Sequence, residues 1–444
     1  MTENVVSSLL VRQLFACIAG RGCVLAPIRF KPFSDEDIFV GDYDFVLSPS
    51  DVSETLRAIR EFLTGHSVDF AIYRRKVGKI RLAILADDKS RQVIIELWQE
   101  LEARALPDTY PTLRWLDLQA HIQPDPGSLT GYRIAPDVEA AYYLCHLQEK
   151  QKKIEHGLTS VRLKRYQNSQ ELSTEVSAIV GRIVKDADIP AAALSARDYL
   201  VSRNILRRSE GCWGRLHAAI NDIPAAMFRL RLSLAGSHRF IDFIGPDGVG
   251  KTSLIEAAAG KVFPSGKYFR FKKTYRKSIS YSIAHPILKR VFQGKKKQKL
   301  AKNQVDDMSS GFLFYLSVAG IFWRNLVCVM TRRIYLSDRS PADLLVTGYR
   351  FQNKKIALRS TARRDIRFMP TPRAVVHLHA PSEVITSRKQ EMNAEQISDY
   401  QSSIFDVYLL KTPPIYIGIN TNCSLDKSVS ALAALVNKGA AQSG

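Results

Sequence analysis

The sequence predicts an α/β protein in two parts. An N-terminal α+β unit with a helical tail precedes a C-terminal unit with a parallel sheet flanked by helices. Three observations carry this. The apolar run 240–244 enters the glycine-rich turn Gly245-Pro246-Asp247-Gly248-Val249-Gly250 and continues into a helical pattern at Lys251-Thr252-Ser253. Later apolar runs at 334–337, 374–379 and 415–421 are separated by helical segments. In the first half, short strand-like runs between 23 and 98 give way to helical periodicity from Asp137 to about Ile220.

A chain of 444 residues exceeds one ordinary core, so two to three domains are expected. The expected boundaries are 1–135 for the α+β unit, 136–225 for the helical segment, 226–238 for a linker and 239–438 for the second unit. The composition, 45% hydrophobic and 24% charged, is that of a globular protein. The six cysteines form no C-x-x-C pair, so neither a zinc site nor a disulfide framework is indicated. The N-terminus lacks a signal-peptide pattern, and a cytoplasmic location is expected. The net charge of +21 favours anionic partners. The excess peaks at Arg270–Lys302 and again at Arg350–Arg367; a solvated basic face is the plainer explanation of most of it.

In chain order, residues 4–19 form a helical pattern stopped by Gly20-Arg21-Gly22, and a short strand follows at Cys23–Ala26. Gly41-Asp42-Tyr43-Asp44 then leads into an apolar strand. Spacing of two on a strand puts Asp42 and Asp44 on one face, where mutual repulsion favours a divalent cation. A helix is expected over Val52–Phe62, then strands at Asp69–Tyr73, Lys79–Leu85 and Gln92–Trp98. The last of these carries a third carboxylate, Glu96, in apolar surroundings. Helices are expected again from Pro136-Asp137, near Leu172–Lys185 and near Ala196–Arg208.

Gly41-Asp42-Tyr43-Asp44 with its following strand, helix and later strand acid resembles the nucleotidyltransferase fold of the polymerase-beta type. The resemblance implies that Asp42, Asp44 and Glu96 form a second site holding metal ions for nucleotidyl transfer. The family's Gly-Ser or Gly-Gly turn is missing, and Ala26-Pro27-Ile28-Arg29 stands in its place.

In the second half, the turn matches G-x-x-x-x-G-K-[ST] between a strand and a helix. Its glycines let several N–H groups face one phosphate, and the helix start adds its positive end. Lys251 can reach the terminal phosphates, and the Thr252 hydroxyl can ligate Mg²⁺. The strand Ile334–Ser337 ends at Asp338, an acid that can hold Mg²⁺ directly or through water, followed by Arg339, which can grip an acceptor phosphate. The strand 374–379 leads to a charged helix holding Arg388, Lys389 and Glu391, whose cations can neutralise transferring phosphate. His377 and His379 share a strand face without an acidic neighbour and read as core or surface histidines. The apolar run Gly311–Met330 is interrupted by Arg324. An arginine near a bilayer centre costs roughly 2.5–3.5 kcal/mol, so a buried helix is expected rather than a transmembrane span.

Together these blocks resemble the thymidylate kinase-like family of P-loop nucleoside-monophosphate kinases, over roughly residues 238–436. The resemblance implies ATP binding by Gly245, Asp247, Gly248, Val249, Gly250, Lys251, Thr252 and Ser253. It implies Mg²⁺ held by Thr252 and Asp338, and catalytic roles for Lys251, Arg339 and Arg388. Ser340 departs from the aromatic residue usual after Asp-Arg, and the segment after the loop is long and lysine-rich. A subset of bacterial proteins with such C-terminal halves shares the series helix, Asp338-Arg339, Tyr349-Arg350.

The expected activity is therefore transfer of the γ-phosphoryl group of ATP to a small anionic acceptor. A nucleoside monophosphate such as dTMP or a sugar phosphate would suit. Two alternatives stand beside it: an ATP-gated module acting on nucleic acid or an acidic polymer, and a bifunctional kinase and nucleotidyltransferase. Nucleic acid is the less favoured partner. Peripheral membrane contact and a homodimer are both compatible with the sequence.

Overall fold

The computed structural model describes residues 8–28, 42–76, 78–85, 92–102, 112–149, 157–206, 239–269, 302–338, 340–347, 357–358 and 361–441, with isolated positions at 223, 227 and 230. The chain is mixed α/β, with one ten-stranded sheet of parallel and antiparallel pairs. Its strand order is 25–27, 42–47, 92–98, 79–85, 70–76, 415–420, 374–379, 240–244, 334–337, 266–269.

The five strands from the second half are all parallel. Numbered along the chain from 240–244, they stand in the order 2-3-1-4-5. Their side chains explain the parallel arrangement. Phe240–Ile244 and Ala374–His379 are buried at every position, as strands covered on both faces must be. The five strands from the first half are mixed: Asp42–Leu47 runs parallel to Gln92–Trp98, and the other pairs are antiparallel.

The two sets join edge to edge. Ile415–Asn420 pairs antiparallel with Phe70–Lys76, in the register Ile415↔Tyr73 and Gly418↔Phe70. Gly418 is required there: a Cβ would lie 2.2 Å from Cε1 of the Phe70 ring. The seam is tied by the Asn420 N–H donating to Asp69 Oδ1 at 2.7 Å and by Arg74 N–H to the Pro414 carbonyl at 2.9 Å.

Helices from both halves cover this seam. Val52–Gly65 buries Leu56, Ile59 and Leu63, which recur on one face. Ala394–Lys411 begins with an Asn393/Gln396 capping box and buries Ile397, Tyr400, Ile404 and Tyr408. The helices are linked by Arg57 to Asp406 at 2.8 Å and by Arg60 to Ser402 at 2.8 Å. One apolar cluster therefore contains Leu56, Phe70, Ile404, Phe405 and Tyr416 together. A second cluster packs the helices Pro136–Glu149, Thr174–Asp186 and Ile189–Ser202 behind the first-half strands.

Three expectations need correction. The charged helix after the strand 374–379 is Ser382–Arg388, and Lys389 is extended (φ −160°), so Lys389 and Glu391 lie outside it. The helix expected near Ala196–Arg208 starts earlier and spans Ile189–Ser202. The apolar helix is longer than expected, Lys302–Met330, and is buried on one face only. Phe314, Ile321 and Cys328 are buried, while Phe322, Trp323 and Met330 are exposed. Among the described residues, no helix is long and apolar enough to cross a membrane.

Candidate functional site

Parallel strands place all their C-terminal ends at one edge of the sheet. Ligands in open α/β sheets bind outside that edge, where the strand order reverses. Here the strand 240–244 lies between strands that follow it on opposite sides. The glycine-rich turn leaves that strand, Asp338 follows the neighbouring one, and the segments after His379 and Asn420 emerge on the other side.

The turn is shaped by positive backbone angles at Gly245 (φ 146°), Gly248 (φ 89°) and Gly250 (φ 97°). Gly248 also meets its neighbours closely, since a Cβ would lie 2.9 Å from Cβ of Lys389. The helix Lys251–Lys261 begins at once, with Gly250 as its N-cap and no capping side chain. The N–H groups of its first turn, at Lys251, Thr252 and Ser253, have no intrahelical acceptor by geometry. Lys251 is buried and folds back over the turn, with Nζ donating to the carbonyls of Gly245 (2.5 Å) and Pro246 (2.8 Å). The Asp247 carboxylate lies 3.8 Å from Lys251 Nζ and 4.0 Å from Lys389 Nζ.

Asp338 accepts a 2.7 Å hydrogen bond from the Tyr268 hydroxyl at the adjacent strand. Arg388 is exposed and donates to the Thr421 carbonyl at 3.1 Å. Arg339, Tyr349, Arg350 and the segment 270–301 lie outside the described residues.

Beneath the turn lies a polar network absent from the expectations above. Asp242, fully buried in the central strand, accepts a hydrogen bond from the Tyr408 hydroxyl. Ser340 Oγ lies 3.1 Å from the same hydroxyl, and Tyr400 donates to Asp343 at 2.6 Å. Burial pushes the Asp242 carboxyl up to about 7, against the opposing pull of hydrogen bonds from Tyr408 and Ser340. The sequence signal was an aspartate inside an otherwise apolar strand. His377 and His379 are core residues: burial holds His377 well below the usual imidazole range and lowers His379 to about 3. His377 Nδ1 is hydrogen-bonded to the Tyr416 hydroxyl.

In the first half, the expected acids are brought together in part. Asp44 and Glu96 are direct partners on adjacent parallel strands. The backbone of Asp42 opposes Ile94, and its side chain lies outside the described residues. Glu96 is buried and paired with two cations, Lys79 at 2.5 Å and Arg81 at 2.5 Å. Burial opposes its charge, but the hydrogen bonds and charge of Lys79, together with Arg81, hold its carboxyl below the ordinary value. Asp44 accepts from Trp98 Nε1 at 3.1 Å, and Lys79 Nζ sits 4.0 Å from the centre of that indole ring. Among the described residues, no group of three potential ligands is placed to hold a metal ion.

A cavity of about 290 Å³ adjoins Asp44, between the first-half sheet and the helical segment. Tyr43, Arg133, Glu139, Arg162, Arg165 and Tyr166 contribute to its wall. The Tyr166 hydroxyl donates to Glu139 at 2.6 Å, and burial beside that acid raises its pKa far above the usual phenol value.

No protein-family model and no curated protein sequence matches the chain.

Proposed function

We propose that the protein is an ATP- and Mg²⁺-dependent phosphotransferase of the thymidylate kinase-like type, acting on a small anionic acceptor. The observation that carries this reading is the placement of the glycine turn. It joins the central strand of a parallel set to a helix N-terminus, with Lys251 at the first helical position.

Each residue then has a role. The amides of Gly248, Gly250, Lys251 and Thr252 cradle the phosphates. Lys251 exchanges the Gly245 and Pro246 carbonyls for phosphate oxygens, which offer the ammonium a full counter-charge. Thr252 and Asp338 supply hard oxygen donors, a set that suits Mg²⁺ when substrate phosphates complete the shell. Bound there, Mg²⁺ would neutralise charge on the transferring group. Tyr268 orients the Asp338 carboxylate. Arg339 grips the acceptor phosphate, and Lys389 or Arg388 faces the phosphates from the far side of the turn. A phosphate acceptor needs no general base, because positioning and electrostatics dominate this chemistry.

The first half fits a binding role better than nucleotidyl transfer. Glu96 is already neutralised by Lys79 and Arg81, so the mutual repulsion that would recruit metal is relieved within the protein. The alternative of an ATP-gated nucleic-acid module draws on the basic charge and on the missing Gly-Ser or Gly-Gly turn of the first half.

ATP-dependent ADP formation across a panel of nucleoside monophosphates and sugar phosphates tests the proposal. At least one acceptor is expected to stimulate turnover, with about 100-fold loss in Lys251→Ala. No stimulation by any acceptor, with the variant indistinguishable from wild type, would overturn it.

A further inference from the structure

The outward face of the helix Lys302–Met330 belongs to neither site. Its described residues Tyr315, Phe322, Trp323, Leu326, Val327 and Met330 are all exposed, Trp323 by 60% and Met330 by 77%. Their spacing of three, four and seven puts them on one side, opposite the buried Phe314, Ile321 and Cys328. The stripe continues onto a second element: Tyr315 meets the exposed ring of Phe368 edge-on at 5.6 Å. A soluble surface rarely leaves such a contiguous aromatic and aliphatic patch uncovered.

Among the described residues, the exposed charges flanking the patch are arginines, one of which, Arg364, pairs with Asp365 at 3.0 Å. Arg332 and Arg333 are exposed at one end, and Arg363, Arg364 and Arg367 at the other. From Gly311 to Arg333 the chain contains no aspartate or glutamate. Asp365, the acid nearest Phe368 in sequence, is buried beneath Tyr315, which donates to it at 2.9 Å.

We propose that this face docks the protein on an anionic lipid bilayer. The apolar stripe would enter the interface between headgroups and acyl chains, and the flanking arginines would pair with lipid phosphates and carboxylates. Trp323 and Tyr315 are the residue types that favour that depth. The charge pattern argues against a second copy as the occupant. A symmetric dimer through this face would bring two sets of these arginines together, on chains each carrying +21. The docking is independent of the phosphotransferase reading.

Flotation with phosphatidylcholine vesicles, with and without phosphatidylserine, tests the proposal on the full chain. Binding is expected only with phosphatidylserine, and it should weaken as salt is added. The variant Phe322→Ser/Trp323→Ser should bind about tenfold more weakly, because it removes the two largest inserted side chains. A second measurement needs no loss of apolar surface. Acyl-chain bromination should quench tryptophan emission in the bound wild type, and Trp323→Phe should remove the quenching. No flotation, binding unaffected by the double substitution, or emission untouched by brominated chains would each overturn the proposal. So would a concentration-dependent dimer abolished by the same substitutions in a protein that does not float.

Discussion

Two buried ionic arrangements decide how individual residues read. Around Glu96, Lys79 and Arg81 supply the counter-charge that a metal ion would otherwise provide. Removing the acid should leave Lys79 and Arg81 partly buried without their shared partner. Glu96→Gln is therefore expected to lose about 2 kcal/mol in denaturant unfolding, less than a fully buried pair because both cations retain some exposure. An unfolding midpoint for wild type that rises with added Mg²⁺ and loses that rise in Glu96→Gln would instead restore a metal role.

Asp242 and the two core histidines give opposing pH dependences. The folded pKa of Asp242, about 7, lies above its ordinary 3.8, so its contribution to stability declines as pH rises through that window. The histidines are depressed below 6.5, His379 to about 3, so their contribution is lost as pH falls below 6.5. Asp242→Asn should therefore make the loss of stability below pH 6.5 steeper than in wild type. Urea unfolding across that range measures this, and an unchanged slope would contradict it.

At the scale of elements, legibility followed locality. The glycine turn could be read because strand, turn and helix start lie within fifteen consecutive residues and each has its own residue chemistry. Asp338 could be read because a strand end is local too. Lys79 and Arg81 stood in view as alternating cations, yet their pairing with Glu96 depends on the register between two strands. The misplaced helix end at Arg388 had a local signal: Asn393 and Gln396 spell the capping box of the next helix, which requires a break before it. The helix 302–330 misled in another way. Its stretch 311–330 is apolar on most sides, so periodicity could not show that one face stays exposed.

The seam between the strands 70–76 and 415–420 was the least legible element, because its partners are over 340 residues apart. Its close approach at Gly418 requires an absent side chain. Gly418→Val should push the Phe70 ring from its place and cost about 3 kcal/mol by overpacking. Thermal unfolding measures the loss, and Phe70→Ala in the same chain should recover part of it. Equal stability of Gly418→Val and wild type would show that the seam is not packed as described.

For the whole molecule, the seam fixes the first-half cavity and the glycine turn on one continuous sheet rather than on tethered units. The basic excess gains a direction as well. Among the described residues, exposed arginines lie at both ends of the apolar face of the helix 302–330, while the turn that would hold phosphate lies at the C-terminal edge of the parallel strands. Phosphate chemistry and surface docking would thus fall at separate features of one body. The most direct measurement follows label from γ-³²P ATP into an added nucleoside monophosphate or sugar phosphate, in wild type, Lys251→Ala and Asp338→Asn. Labelled acceptor is expected with wild type and Mg²⁺, and about 100-fold less with either substitution. Label that reaches only water, or that reaches the acceptor equally in all three proteins, would contradict it.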